Sequence, residues 1–285
     1  MYTAMIENRN GEVLILTGKE PVYQVTKILG LDPPQARINL TSIVGLDGAR
    51  YNSAKLETRN IVLTVKINGD AEKNRLDMYR YFRTKEWCRF RYKTETRDVF
   101  IDGYVENVEC DLYSNAETAQ ISIICPDPFF KSAEEYEANL SAVMGLFTFP
   151  FSINEGEPVP FSEIDESRTT TIVNESESET GLTITARFDE AASALQIIDK
   201  GTEETLTLVY AFAAGDILHI DTQKGRKSIA LTRDGSTQNL FSALQDGSTF
   251  LQLDPGVNVF SYVVSGGNAD SVQITMNYRN TFRGV

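Results

Sequence analysis

Residues 61–67 have the sequence Ile61-Val62-Leu63-Thr64-Val65-Lys66-Ile67, in which β-branched residues predominate and every second position is apolar. β-Branched side chains are stiff at χ1 and fit the pleated surface of a sheet. Alternation with a period of two directs one side of a strand toward a core and the other toward water or a partner. The segment therefore predicts a strand with one buried face.

The same period of two recurs in residues 147–151, 206–212 and 272–278. Pairs of residues that tolerate positive φ punctuate the chain: Asn10-Gly11, Asp47-Gly48, Asn68-Gly69, Asp102-Gly103, Asp234-Gly235 and Asp246-Gly247. Asn-Gly and Asp-Gly are typical of tight turns. Many short strands with frequent turns predict a mainly β fold built from sandwiches or open barrels.

One segment, residues 70–84, predicts an amphipathic helix. Asp70 can cap its N-terminus, and Leu76, Tyr79 and either Phe82 or Arg83 follow at helical spacing. A single helix of this kind in a β-rich domain most often covers a face of a sheet. The alternative, a more specific hypothesis, is a recognition helix.

The length of 285 residues is enough for two domains. Two prolines in Cys125-Pro126-Asp127-Pro128 end the strand predicted over residues 120–124. The polar, acidic stretch that follows favours a linker or a short helix. We therefore expect a first domain over residues 1–131, a linker over 132–144 and a second domain over 145–285.

The net charge of −13 is distributed unevenly along the chain. Residues 1–130 hold 17 Lys and Arg against 18 Asp and Glu, whereas residues 131–285 hold 10 against 22. An acidic chain repels phosphate, which argues against DNA binding by neutralisation of the backbone. The acidity favours solubility or attraction of a basic partner. No apolar run has the ~18 residues that a membrane span needs, so we expect no membrane association.

Residues that carry chemistry are scarce. Three cysteines, Cys88, Cys110 and Cys125, form no CxxC motif, which argues against a disulfide framework and a zinc site and favours reduced thiols in a protein made in the cytosol. The one histidine, His219, lies in a predicted strand and excludes multi-histidine metal sites. Phosphate-binding loops and nucleophile elbows are missing from the sequence. We expect no cofactor, no metal and no enzymatic activity.

Acidic clusters are the single hint of hydrolysis. They are Glu134, Glu135 and Glu137; Asp165 and Glu166; and Glu175, Glu177 and Glu179. A glycosidase needs two carboxylates that face each other across a cleft, at ~5–10 Å. Sequence neighbours in polar segments rarely supply that geometry, so solvated acidic loops are the simpler interpretation.

A strand predicted around residues 86–92 places Trp87, Arg89, Arg91 and Lys93 on one face and Cys88, Phe90 and Tyr92 on the other. Trp and Arg are enriched at the energetic centres of protein–protein interfaces. This pattern predicts an interface at Trp87, Arg89, Arg91 and Lys93, and a solvated sheet edge with one capping aromatic is the equal alternative.

Four segments, in this order and spacing, resemble those of the distal tail protein family of long-tailed phages (siphophages). They are residues 28–67 with the predicted helix; Phe100-Ile-Asp-Gly-Tyr-Val105; Ile121-Ser-Ile-Ile-Cys-Pro-Asp-Pro-Phe-Phe130; and Phe250-Leu-Gln-Leu-Asp-Pro-Gly-Val-Asn-Val-Phe260. Ala214-Gly-Asp-Ile-Leu-His-Ile220 is also similar to a strand of the family's second domain. Each motif has modest specificity, and their order makes the match.

The resemblance implies an N-terminal, β-sandwich-like domain with one helix that forms a hexameric ring, and a C-terminal sandwich similar to galectins and carbohydrate-binding modules. It further implies a non-enzymatic hub in the virion, which joins the tail tube protein to tail-tip, baseplate and receptor-binding proteins. The alternative is an adhesion module whose second domain binds host cell-wall glycans. Fold similarity alone does not establish sugar binding.

Overall fold

The computed structural model of the protein describes residues 2–18, 21–45, 47–111, 117–140, 143–145, 162–164 and 168–285. The chain forms two compact units: unit 1 comprises Met1–Glu134 and Thr281–Val285, and unit 2 comprises Glu135–Asn280. The last five residues therefore belong to unit 1, whereas the sequence placed them with the second domain. Their strand partner lies in residues 130–132, far away along the chain.

Unit 1 is built from strands and one short helix. Its elements are β1 (Thr3–Asn8), β2 (Val13–Ile15), β3 (Tyr23–Leu29), β4 (Ala36–Ser42), β5 (Ala49–Leu56), β6 (Arg59–Ile67), α1 (Ala71–Met78), β7 (Trp87–Lys93), β8 (Asp98–Asp111), β9 (Thr118–Cys125) and β10 (Phe130–Ser132). A further strand of this unit, Thr281–Phe282, pairs with β10.

Unit 2 is built from short strands. They are β11 (Tyr136–Asn139), β12 (Val143–Gly145), β13 (Ser162–Ile164), β14 (Thr169–Asn174), β15 (Thr180–Gly181), β16 (Thr183–Phe188), β17 (Ala192–Asp199), β18 (Thr205–Phe212), β19 (Ile217–Asp221), β20 (Ser228–Arg233), β21 (Ser236–Asn239), β22 (Gln252–Leu253), β23 (Gly256–Ser265) and β24 (Val272–Tyr278). The strand at Thr281–Phe282 is then β25. The mainly β fold expected from the sequence is confirmed.

A nine-stranded sheet dominates unit 1, with the order β2-β1-β7-β8-β9-β6-β3, and β10 and β25 extend it from β8. β6 has the strict alternation that its sequence predicted, with Ile61, Leu63 and Val65 fully buried. The inner face of the sheet contributes to one apolar core. β4 and β5 form a separate two-stranded hairpin.

The helix α1 begins where the sequence predicted, because the Asp70 carboxylate accepts a hydrogen bond from the backbone N–H of Lys73 at 3.2 Å. It ends at Met78, earlier than residue 84, and turns follow that bury Phe82. Met78 and Phe82 belong to the same core as the sheet, so the chain covers a sheet face here. Leu76, one of the residues at helical spacing, is 55% exposed and does not contribute to this buried face.

Unit 2 contains a six-stranded sheet, β11-β24-β16-β19-β20-β21, and a four-stranded sheet, β14-β23-β17-β18. Residues from both sheets share one core, in which the rings of Phe188 and Phe212 stack at 4.2 Å. The sequence of residues 132–144, the predicted linker, lacks the 3.6-residue periodicity of a helix. Its described residues do not form one. β11 instead pairs with β24 in the six-stranded sheet.

One of the six turn predictions is wrong, because Asp102-Gly103 lies inside β8. A Cβ atom on Gly103 would lie 2.7 Å from Cγ2 of Ile123 and 2.9 Å from Sγ of Cys125. The glycine is therefore needed for space on the inner face of the sheet, and not for a positive φ. The other five glycines of these pairs have positive φ. The strand expected over residues 147–151 lies outside the described residues.

Candidate interaction surface on the nine-stranded sheet

The four predicted interface residues lie on β7, and we call them the arginine stripe: Trp87, Arg89, Arg91 and Lys93. Their strand neighbours Cys88 and Phe90 are fully buried, so the predicted division of faces is confirmed at these positions. β7 lies between β1 and β8, in the interior of the sheet. The stripe is therefore a central part of the outer face and not a free sheet edge.

Carboxylates on β8 hold the two arginines in place. Arg89 donates two hydrogen bonds to Asp102, from Nε to Oδ1 at 2.7 Å and from Nη2 to Oδ2 at 3.1 Å. Arg91 donates to Asp98 in the same way, with both distances at 2.7 Å. Such bidentate pairs fix the guanidinium plane more firmly than a single contact. The stripe is thus a pre-ordered surface.

The electrostatics of the stripe follow from these pairs. The hydrogen bond from Arg91 lowers the pKa of Asp98 below its usual value, against the opposing effect of partial burial, and Lys93 contributes from 3.1 Å. The hydrogen bond to Asp102 raises the pKa of Arg89. Both arginine side chains remain between a third and a half exposed, so each pair contributes only ~0–1 kcal/mol to stability. The pairs order the surface more than they stabilise the fold.

Aromatic rings flank Arg89. Its guanidinium carbon lies 4.0 Å from the centroid of the Phe100 ring and 5.4 Å from that of Trp87. A guanidinium stacked on aromatic rings is held flat against the surface and loses little further freedom on binding. The sequence did not predict that Phe100 and the two aspartates belong to this surface, because only the strand register brings them beside the stripe.

Apolar side chains continue the outer face beyond the stripe. Val13 and Ile15 on the edge strand β2 are 55% and 53% exposed. Met5 of β1 lies opposite Ile15 on one side and opposite Arg91 on the other. The outer face therefore combines an apolar edge with an ordered, charged centre.

The hairpin of β4 and β5 is the second unusual surface of unit 1. Ile38, Leu40 and Tyr51 are 58%, 54% and 61% exposed, and Leu40 lies directly opposite Tyr51. The alternation of residues 36–42 would ordinarily predict a strand with one buried face. Within the described residues, the strand pairing of β4 and β5 is with each other alone.

The structure brings together no catalytic arrangement among the described acidic clusters. Glu134, Glu135 and Glu137 are exposed, and Glu135 pairs with Arg279 at 3.6 Å. Glu179 pairs with Lys224 on the surface, and Asp165 and Glu166 lie outside the described residues. In the described ranges, no group of three or more His, Cys, Asp or Glu side chains could hold a metal ion.

Two of the thiols and the histidine also lack the features of a reactive site. Burial raises the pKa of the Cys88 and Cys125 thiols to about 12, which disfavours the nucleophilic thiolate. His219 lies on the exposed face of β19, with Nδ1 3.2 Å from the Thr185 hydroxyl. Of the helices in the described part of the chain, none has the length and apolar character that crossing a membrane requires.

A groove of about 320 Å³ in unit 2 bears on the glycan hypothesis. Its aromatic member, Phe250, is 8% exposed, and Nζ of Lys227 lies 5.0 Å from the centroid of its ring. Sugar-binding sites commonly use an open aromatic face, and this ring does not present one. Glycan binding stays a prediction.

Comparisons with known proteins identify the class to which this fold belongs. Residues 17–125 match the family model described as phage tail protein RIFT-related domain, and residues 175–282 match the siphovirus-type tail component, C-terminal domain. These are models of structural parts of phage tails. The chain belongs to the distal tail protein family of siphophages, as the order of its motifs indicated.

Solved structures show the same fold. The crystal structure of SPP1 Dit, described as a paradigm of the hub of the adsorption apparatus in phages that infect Gram-positive bacteria, has a TM-score of 0.71 at 15% identity, and the match covers 99% of both chains. A chain of the phage p2 baseplate in its activated conformation with Sr has a TM-score of 0.55 at 12% identity, over 97% of this chain and 98% of that one. A search of the curated proteins found no match. The likeness to these structures shows the fold, and the two family models indicate a structural component of a phage tail.

Proposed function

We propose that the protein is a non-enzymatic hub of a phage tail tip, in which unit 1 closes into a homo-oligomeric ring of six copies. The ring joins the tail tube protein to tail-tip, baseplate and receptor-binding proteins, and unit 2 carries docking surfaces for those partners. The single observation that carries this proposal is the exposed hairpin β4–β5.

An isolated two-stranded hairpin is marginally stable in water at best, because it buries too little apolar surface to offset the ordering of its backbone. Every residue of β4 is exposed, and so is every residue of β5 except Leu56, which is partly buried. Burial of Ile38, Leu40 and Tyr51 against a neighbouring copy would supply the missing stabilisation, at roughly 25 cal/mol per Å² of apolar surface.

Contact between a hairpin and a different surface of the next copy is heterologous, and repeated heterologous contacts generate a ring when the rotation closes. We propose the outer face of the nine-stranded sheet as the receiving surface. It offers the exposed valine and isoleucine of β2 beside the ordered arginine stripe, which matches the usual arrangement of apolar contacts with Trp and Arg at an interface. Each interface would bury about 1,000 Å² or more.

The test is the mass of the purified full-length protein in solution, measured by light scattering and native mass spectrometry, with negative-stain electron microscopy. Six copies of 31.8 kDa give about 190 kDa. The double variant Ile38→Asp, Leu40→Asp should be monomeric with an unchanged far-UV circular dichroism spectrum. The matched control is Ser236→Asp, which places a carboxylate on the exposed hairpin β20–β21 of unit 2 and should leave the ring intact.

A wild-type protein that stays monomeric at high concentration, at both low and high salt, contradicts the ring. Rings that persist in the double variant leave the oligomer in place but show that the hairpin does not hold it together.

A further inference from the structure

The outward face of the four-stranded sheet in unit 2 carries no charged side chain. Every second residue of β14, β23, β17 and β18 points outward, and these residues are Thr, Val, Ser, Ala, Ile or Gln. Four of them are exposed valines: Val173 at 56%, Val209 at 56%, Val257 at 70% and Val263 at 47%. We call this surface the neutral face.

The lack of charge is unexpected in this part of the chain. Residues 168–280 hold 8 Lys and Arg against 14 Asp and Glu. The outward face of the six-stranded sheet in the same unit carries Glu137, Arg187 and Asp221. With strands ~4.8 Å apart and ~3.3 Å per residue, the neutral face covers about 400 Å². The largest apolar patch of a typical soluble monomer covers about 300–600 Å² and is often functional, so an uncharged face of this size is a candidate interaction site.

Some polar groups of the neutral face are engaged or buried. The Gln196 amide donates to the Thr207 hydroxyl across the strands at 3.1 Å. The Ser261 hydroxyl is buried, and among the described residues it has no hydrogen-bond partner. Exposed Thr171 and Ser265 add hydroxyl groups, so the surface combines valine methyl groups with a few uncharged polar groups.

Carboxylates border the neutral face. Glu175 follows β14, Glu203 and Glu204 lie in the β17–β18 turn, and Asp254 precedes β23, all of them exposed at one end of the sheet. Lys200 is also exposed at this end, and Lys224 and Lys227 line a groove with Glu204 and Asp254. At the other end, exposed Glu190 precedes β17, and Arg168, which precedes β14, pairs with Asp270 at 3.3 Å. Two copies that met face to face would bring like charges together, which costs free energy at the rim. A partner with lysines and arginines around an apolar patch would gain binding free energy both from apolar contact at the centre and from charge complementarity at the rim.

We propose that the neutral face docks a second tail subunit, different from this chain, which presents an uncharged β-branched or aromatic surface bordered by basic residues. This inference rests on the proposed function, since it places the chain in an assembled tail. It assigns the contact to one face of unit 2 and separates it from the ring contacts of unit 1.

Thiol footprinting tests the proposal. In a Cys110→Ser background, the remaining Cys88 and Cys125 are buried and resist labelling. Val257→Cys reports on the neutral face, and Ser228→Cys, an exposed outward position on β20, is the matched control. Maleimide labelling rates are compared between the purified full-length protein and tails assembled in cells from the gene cluster that encodes the chain. We expect the rate at residue 257 to fall at least tenfold in the tails and the rate at residue 228 to stay the same.

Charge reversal tests the chemistry of the partner. Glu203→Lys with Glu204→Lys should restore most of the labelling at residue 257 in the tails, whereas Glu137→Lys on the other sheet should not. Rim variants that keep full protection overturn the basic-rim partner.

Labelling at residue 257 that is equally fast in tails and in the free protein overturns the neutral-face proposal and leaves the hub intact. Slow labelling at residue 257 already in the purified protein, before assembly, points to a second copy or to the chain itself as the occupant. This result also overturns the neutral-face proposal. A chain that is absent from the tails overturns the proposed function, and the partner with it.

Discussion

Arg59 donates a hydrogen bond from its guanidinium to the backbone carbonyl of Arg283, 224 residues further along the chain. The same guanidinium donates to the backbone carbonyls of Gly30, Asp32 and Pro128. Its carbon lies 4.6 Å from the centroid of the Phe130 ring, and the residue is 3% exposed. One buried cation thus joins β6 to the end of β3, to the segment before β10 and to the C-terminal strand, which explains why residues 281–285 belong to unit 1.

Replacing Arg59 should destabilise unit 1 strongly. Arg59→Ala leaves several buried carbonyls without donors, and we expect a loss of about 3–5 kcal/mol in the free energy of unfolding of this unit. Arg59→Lys should restore only part of the loss, because an ammonium lacks the planar set of donors. Urea unfolding followed by the fluorescence of Trp87, the one tryptophan of the chain, reports on unit 1. Arg187→Ala, on an exposed position of unit 2, is the control, and an unchanged midpoint for Arg59→Ala would contradict the bridging role.

The space beside Gly103 provides a second prediction. Gly103→Ala puts a methyl group within 3 Å of Ile123, Cys125 and the carbonyl of Ile124, so we expect a loss of about 1–3 kcal/mol from overpacking. Cys125→Ala removes one of the crowded atoms. The double variant should therefore lose less than the sum of the two single losses, as a double-mutant cycle measured by urea unfolding would show. Strict additivity would mean that the sulfur is not the obstacle.

The pH dependence of the stability of unit 2 provides a third prediction. Asp216 is buried and accepts hydrogen bonds from Arg233, which lower the pKa of its carboxyl below the usual value, with a smaller contribution from the Ala213 N–H. A carboxyl with a lowered pKa in the folded state stabilises the fold above its unfolded pKa of ~4, and this contribution is lost as the pH falls toward the folded value.

We therefore expect Asp216→Asn to lower the stability of unit 2 by about 3–5 kcal/mol at pH 7 and by progressively less as the pH falls below ~4. Hydrogen exchange of the β19 and β20 amides between pH 3 and pH 7, corrected for the intrinsic rates, measures this difference. Asp246→Asn, in an exposed turn, should leave protection at pH 7 unchanged. If the loss of protection in Asp216→Asn stayed constant with pH, the contact with Arg233 would not be the cause of the lost stability.

The arginine stripe provides a fourth prediction, which bears on the ring. Trp87→Ala and Arg89→Ala should each weaken association of the purified protein by at least tenfold, because Trp and Arg anchors account for most of the energy of an interface. The fold should persist, since both side chains lie on the outer face. Lys73→Ala, on the exposed side of α1, is the control, and concentration-dependent light scattering is the measurement. Undiminished association in both stripe variants would place the interface elsewhere.

Strand patterns were the part of the fold that the sequence could predict. Alternation in residues 61–67, 206–212 and 272–278 reflects local burial, and the structure has strands at all three. The Asp70 cap could also be predicted, because a cap depends on residues three positions apart. Asp102-Gly103 could not be told from a turn, since the need for glycine there comes from atoms of β9.

The candidate surface was predicted only in part. Alternation within β7 separates Trp87, Arg89 and Arg91 from the buried Cys88 and Phe90, and this requires no knowledge of other strands. The pairing with Asp98 and Asp102 depends on the register of β7 against β8, which one-dimensional periodicity does not contain. The exposed hairpin was also missed, because a strand that is buried by a partner has the same alternation as one that is buried by its own domain.

The sequence by itself determined the strand faces, the helix cap, the scarcity of catalytic groups and, through the order of its motifs, the family, because these depend on near neighbours along the chain or on residue type. Only the tertiary structure decided that the C-terminal strand returns to unit 1, that Arg59 joins four segments there, and that the outward residues of four separate strands make one uncharged surface. These features arise from residues far apart in the chain, which become neighbours only when strand register and topology are fixed.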